Sequence, residues 1–153
     1  MHLKIITAAL AALLLAACDP MSQLNEAEER IEAFHATYNG GDAHRLYGLT
    51  AEEFREGTSP GQMDELVALV SDRMGKVIST EREGININSE GGVTITTLTM
   101  KTTFEKGEAT ETFRFFGSGD EMGLVSWNVD SPNFAEPQAE RYETIDIEAP
   151  PEG

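Results

Sequence analysis

Five side chains in this sequence are of kinds that carry acid–base or hydrogen-bond chemistry, and all lie where a fold could gather them: His35, Tyr38, Tyr47, Glu111 and Trp127. Glu111 shares strand parity with Phe113 and Phe115, so it could point into a core as a buried acid or base. The alternative is a solvated carboxylate at a strand end. His35 follows Phe34, which lies on an apolar helical stripe. It reads either as a general base or ligand at the edge of a cavity, or as a packed or surface histidine. Tyr38 and Tyr47 are hydrogen-bond donors for a ligand oxygen. Trp127 offers a face for stacking, or simply bulk for the core. The other strand acids are mainly Glu81, Glu83 and Glu105.

Much other chemistry has no residues to do it. Outside the first 17 positions the histidines are His35 and His44, the latter on a polar stretch that predicts exposure. Cys18 is the one cysteine, so no zinc set is expected. No Asp-x-Asp-x-Asp-Gly loop supports calcium. There is no Gly-x-Ser-x-Gly elbow and no glycine-rich phosphate loop with a lysine. Met63 and Met74 fall on an apolar helical stripe and read as packing. No catalytic residue, cofactor or metal is assigned.

The N-terminus carries the most specific motif. Lys4 precedes Ile5 to Ala17, thirteen residues drawn only from Ile, Thr, Ala and Leu. That suits a signal-peptide core and falls short of the roughly 20 residues a membrane span needs. The run ends Leu15-Ala16-Ala17-Cys18, which resembles the bacterial lipobox. The resemblance implies that residues 1–17 are removed and that the Cys18 thiol takes a diacylglyceryl group and fatty acyl chains such as palmitate. An ordinary secretory leader with a chance cysteine is the alternative. A lone thiol in an exported chain wants an explanation, and acylation supplies one. Asp19 follows the cysteine. In the Gram-negative sorting rule, aspartate there favours the inner membrane, with the outer membrane as the alternative; either way the domain faces the periplasm.

Removal of the leader leaves 136 residues, enough for one domain, with ten Lys and Arg against 27 Asp and Glu, a formal charge of −17. No basic stripe exists to displace counterions, so nucleic acid is disfavoured as a partner. Adhesion to an anionic membrane surface is disfavoured too, and the lipid is expected to do the tethering. An acidic surface also attracts basic partners.

Along the mature chain, residues 18–24 read as a lipid-anchored linker. Asn25-x-x-Glu28 predicts a capping box, followed by Ala27, Ile31, Phe34 and Tyr38 at helical spacing and a stop at Asn39-Gly40-Gly41. Asp42 predicts the cap of a short helix to Leu49. Thr50-x-x-Glu53 predicts another box opening a turn or two around Phe54. Ser59-Pro60-Gly61-Gln62 starts a helix whose face is Met63, Leu66, Val67, Val70 and Met74, ended by Gly75.

The pattern then changes. Val77 to Asn88 predicts a strand with an irregularity at Gly84, and Gly91-Gly92 a hairpin turn. Val93 to Glu105 carries six threonines, and its apolar parity switches between Ile95 and Leu98, which predicts a bulge near Thr96–Thr97. Ala109 to Gly117 predicts a third strand with Phe113 and Phe115 on one face. Met122 to Asp130 predicts a fourth with Val125, Trp127 and Val129 on one face. Residues 132–153 form an acidic, proline-containing tail expected to be mobile, in which Tyr142, Ile145 and Ile147 offer a short edge strand or a binding segment.

Helices followed by antiparallel strands predict an α+β domain over residues 25–131, its N-terminal helices packed on a curved sheet of about four strands. The phrase Phe34-x-x-x-Tyr38-x-x-Gly41-Asp42-x-x-x-Leu46-Tyr47, with this element order, resembles the cone-shaped superfamily of nuclear transport factor two, the ketosteroid isomerases and the SnoaL-like proteins. A cystatin-like helix-on-sheet layer is the alternative. The resemblance implies a cone with an open end, a place for a small apolar ligand. It also implies that homodimers can form through the convex sheet. In the isomerases an acid base and an oxyanion-binding tyrosine–acid pair line the cone, and no residue here matches those positions one by one.

The expected function is therefore a membrane-tethered, envelope-facing lipoprotein with a non-catalytic binding or accessory role, partnered by an envelope protein. A carrier or sensor of a small apolar ligand is the alternative, and an isomerase-type enzyme a further one. Filling of the cone by Phe34, Phe113, Phe115 and Trp127 would count against the carrier, and exposure of His35 and Glu111 against the enzyme.

Overall fold

The computed structural model describes residues 19–135. Cys18, the leader and the tail with Tyr142, Ile145 and Ile147 lie outside the described residues. The fold is α+β, with four α-helices packed on an open, curved, four-stranded antiparallel sheet.

The first helix, α1 (Pro20–Asn39), begins five residues before the expected box at Asn25. Asp19 is its N-cap: the carboxylate accepts the Met21 backbone N–H at 3.1 Å, and Pro20 supplies a preset φ at the first helical position. That pair is a stronger start than Asn25, which lies exposed within the helix. Most of the expected 18–24 linker is thus helical. The sheet-facing side is Gln23, Ala27, Ile31, Phe34, His35 and Tyr38. Gly41 turns the chain with φ 72°.

Asp42 caps α2 (Ala43–Gly48) by accepting Arg45 N–H at 2.8 Å. The box expected at Thr50 does not form. The Thr50 hydroxyl donates instead to the Tyr47 carbonyl at 2.7 Å, and Ala51 is the uncapped start of α3 (Glu52–Gly57). The chain is held there by the sheet, since Ala51 N–H donates to Leu124 O at 2.8 Å. Ser59 and Gln62 form a complete capping box at the head of α4 (Pro60–Met74), which turns Met63, Val67, Val70 and Met74 inward.

The strands β1 (Val77–Glu90), β2 (Val93–Phe104), β3 (Gly107–Phe116) and β4 (Gly123–Asp130) pair in chain order. The irregularity expected at Gly84 is present as a register shift between Arg82 and Gly84. The bulge expected at Thr96–Thr97 is not: β2 pairs without interruption from Ile95 to Phe104 on β3. Its inward positions are Thr94, Thr96, Leu98, Met100, Thr102 and Phe104, while Val93 and Ile95 face outward. Thr94 and Thr96 thus take the core positions that the apolar pattern had given to Val93 and Ile95, and Thr102 joins the Leu98, Met100 and Phe104 face. Threonine's methyl and branched Cβ suit a strand interior, with the Thr102 hydroxyl bonded to Glu111 while that of Thr96 has no hydrogen-bond partner among the described residues. The parity break occurs in β4 instead, where the register skips Val125 and sends both Leu124 and Trp127 inward. Val125 therefore does not share the Trp127 face.

The core between helices and sheet is aromatic at its centre. Phe34 meets Phe113 at 5.4 Å and Trp127 at 4.8 Å between ring centroids, both edge-on. Phe113 and Phe115 lie parallel at 6.5 Å. Edge-on aromatic pairs add about 0.5–1.5 kcal/mol beyond the area they bury. These rings fill the concave face where a cone would hold its ligand.

Candidate functional site

Glu111 lies within β3, opposite Met100 on β2 and Val129 on β4, and is completely buried. It is no solvated strand-end acid. Parity sets its direction: odd-numbered side chains of β3 from Ala109 to Phe115 enter the core. A buried carboxylate is costly unless hydrogen-bonded, and three donors meet this one. Oε2 accepts the Thr102 hydroxyl at 2.6 Å and lies 2.7 Å from His35 Nε2. Oε1 accepts the Trp127 indole N–H at 2.8 Å.

The indole is a donor only and the Thr102 hydroxyl donates to Oε2, so Glu111 accepts from both. His35 Nε2 shares the remaining hydrogen bond with Oε2, its direction following the ring tautomer. His35 is nearly buried. It lines a groove of about 460 Å³ between α1 and the start of β1, beside Ile31 and Met100. The salt bridge Glu28–Arg82 spans the groove from helix to strand. At its end the Asn39 amide pairs with both backbone groups of Val77, donating to Val77 O at 2.9 Å and accepting Val77 N–H at 2.8 Å.

The structure thus unites three of the five expected site residues. Tyr38 adjoins them, its ring 6.2 Å from Trp127, but its hydroxyl donates to Gly75 O at 2.8 Å and holds the end of α4. Burial, reinforced by the Glu111 charge, pushes the Tyr38 phenol up to about 12, so it stays neutral. Tyr47 lies apart, donating to Thr58 O at 2.9 Å to hold the loop before α4. Glu105 also serves the backbone, accepting Lys76 N–H at 2.8 Å, and Glu81 and Glu83 are exposed on β1. His44 is exposed as expected. Thr102 was missed, because nothing in the sequence distinguishes it from the neighbouring threonines before the strand register is known.

Chemically the cluster offers one histidine oriented by a carboxylate, opening onto a shallow groove. Among the described residues no group of three or more His, Cys, Asp or Glu could hold a metal ion. No described helix is long and apolar enough to cross a membrane.

No family model matches the chain, and no curated protein is similar to it. Among solved structures, one titled "Structure of Bdellovibrio bacteriovorus Bd1075" aligns with a TM-score of 0.46 at 10% identity, over 69% of this chain and 40% of that one. The chain therefore spans less than half of that protein's length, and a likeness this distant carries neither fold nor function across.

Proposed function

We propose that this chain is an exported lipoprotein, anchored through a lipid on Cys18, that serves a non-catalytic binding or accessory role in the envelope and receives a polypeptide partner on its α1–β1 side. One observation carries the binding half of the reading. The concave face is filled by Phe34, Phe113, Phe115 and Trp127, leaving the open surface beside α1 and β1 as the place for a partner. The same filling weighs against a carrier of small apolar ligands. The anchoring half rests on the lipobox-like Leu15-Ala16-Ala17-Cys18. The Asp19 cap adds a consequence: on this reading the helical domain starts directly after the acylated residue.

A second reading has its own observation. His35, oriented by Glu111, lines the groove, where an imidazole could serve as a base for a small hydroxylated or weakly acidic ligand.

Two measurements test the proposal together. The intact mass of the denatured protein from its own membrane should exceed the Cys18–Gly153 chain by a diacylglyceryl and acyl mass, and Cys18→Ala should abolish both this increment and membrane retention. Photo-crosslinkers at Ile78 and Ile85 should yield a discrete protein adduct, with Thr112 on the convex face giving none. An unmodified Cys18 sinks the anchor. Adducts from Thr112 alone, or none anywhere, sink the binding surface.

A further inference from the structure

The β1 edge is long and unpaired. Fourteen residues of strand are about 46 Å of backbone, and among the described residues no strand pairs with the far side of β1. The opposite sheet edge is closed in part, because β4 bridges to Thr50 and accepts Ala51 N–H. At the start of β1, the Asn39 amide donates to and accepts from Val77 as a neighbouring strand would. Beyond it no described residue takes that place, and Ile78 and Ile85 are exposed beside it, at 65% and 42%.

A second copy of this chain is a poor occupant. In the register centred on Arg82, antiparallel pairing of two β1 strands sets Arg82 against Arg82 and Glu81 against Glu83, like charges directly opposed, and in any register two strongly acidic chains are brought together. Each chain also carries a formal charge of −16. Residues 136–153 are no better matched, with six acids and only Arg141 as a base. Charge and bulges are how edge strands resist self-pairing. The same charges select for the opposite sign: Glu32 on the groove wall and Glu81, Glu83 and Glu90 on the strand have no ion-pair partner among the described residues, Arg82 being engaged by Glu28.

We propose that β1 is a docking edge for an extended basic segment of another protein, added to the sheet as a fifth strand with lysine or arginine toward Glu81 and Glu83 and apolar side chains on Ile78 and Ile85. Main-chain hydrogen bonds give such a complex its affinity, and alternate side chains give it selectivity. The proposal rests on the reading above that the partner is a polypeptide, and adds its chemistry and its strand.

The test uses the full lipidated protein in phosphatidylcholine nanodiscs and three peptides of about 12 residues: alternating Lys and Val, alternating Glu and Val, and the Lys peptide interrupted by two prolines. The Lys peptide should bind, slow hydrogen exchange at alternate amides between Ser79 and Ser89, and weaken about tenfold or more as salt rises from about 0.05 to about 0.5 M. The Glu and proline peptides should not bind. Glu81→Lys with Glu83→Lys should weaken binding at least about tenfold, without loss of fold because both side chains are exposed. Equal binding of the Glu peptide, a footprint away from β1, a dimer formed through β1, or β1 amides already protected without peptide would each overturn the proposal. Crosslinks from Ile78 and Ile85 to a partner that contacts them without a basic strand would overturn this inference and leave the polypeptide reading standing. Peptide binding with no cellular adduct would overturn both, since the edge would then have no protein partner.

Discussion

His35 on α1 and Glu111 on β3, 76 positions apart, meet at 2.7 Å between Nε2 and Oε2, with the carboxylate wholly buried. The contact ties the first helix to the middle of the sheet through a polar bond inside an aromatic core. Thr102 and Trp127 complete the shell, the Thr102 hydroxyl also lying 2.9 Å from that of Thr80. Such networks are costly to break at one member, since the remaining groups are left unpaired in a low-dielectric interior.

Glu111→Ala should therefore destabilise the fold by about 3–5 kcal/mol, because it removes the partner of His35 and Trp127, leaves Thr102 with only the Thr80 hydroxyl, and opens a cavity. Glu111→Gln keeps the volume but points an amide donor at other donors, and should cost about 1–3 kcal/mol. Urea denaturation checks both. A loss below about 1 kcal/mol for the alanine variant would mean the network is not formed.

Tyr38 gives a pH signature. Its phenol titrates near 12 in the fold, against 10.0 ordinarily. Below pH 10 it is neutral in both states and its contribution is complete. As pH rises from 10 to 12 the unfolded chain ionises first, and about 2–3 kcal/mol of stability is lost. Tyr38→Phe lacks the bond to Gly75 and should start about 1 kcal/mol less stable at neutral pH. Its stability should then decline less steeply between pH 10 and 12. Parallel slopes in this window would contradict the burial of the phenol.

Thr96 offers the opposite sign. Its hydroxyl is buried and has no hydrogen-bond partner among the described residues. Thr96→Val keeps the shape and removes the unpaired group, and should stabilise by about 1 kcal/mol in the same denaturation assay. A loss of stability would show that the hydroxyl is satisfied, for instance by a buried water.

Asp19 caps α1, and under the proposed anchoring it would also follow the lipidated cysteine; substitution separates the two. Asp19→Ala removes the α1 cap and should cost about 1 kcal/mol, whereas Asp19→Asn retains a good cap and most of the stability. If aspartate after the lipidated cysteine also sets the membrane address, the asparagine variant should change the inner-to-outer membrane ratio on fractionation without altering its melting temperature. A fall in melting temperature as large as alanine's would show that Asp19 acts as a charge on the helix end.

The helices and strands were readable from local signals. Ser59-Pro60 with Gln62, Asp42 and the paired glycines 91–92 each name a backbone conformation on their own. Inward-pointing Phe113 and Phe115 carried Glu111 with them by parity alone. Threonine was the misleading residue. In β2 it fills core positions while Val93 and Ile95 face outward, so apolar parity predicted a bulge that lies instead at Val125. Thr50 deceived in the same way, because its hydroxyl caps the turn behind it. The gathering of His35, Thr102 and Trp127 around Glu111 could not be read, since it depends on the register of three strands and the crossing of α1 over them.

The proposed function makes the α1–β1 side a binding surface for a polypeptide and the concave face no vessel for a small molecule. Native mass spectrometry of the protein extracted from its own membrane, with a denatured control, decides between the two. The expected native species is either the chain with its proposed lipid alone or that chain with another polypeptide. A non-covalent increment of about 200–600 Da, the size of a small-molecule ligand, released on denaturation would contradict it and turn attention to His35 and its groove.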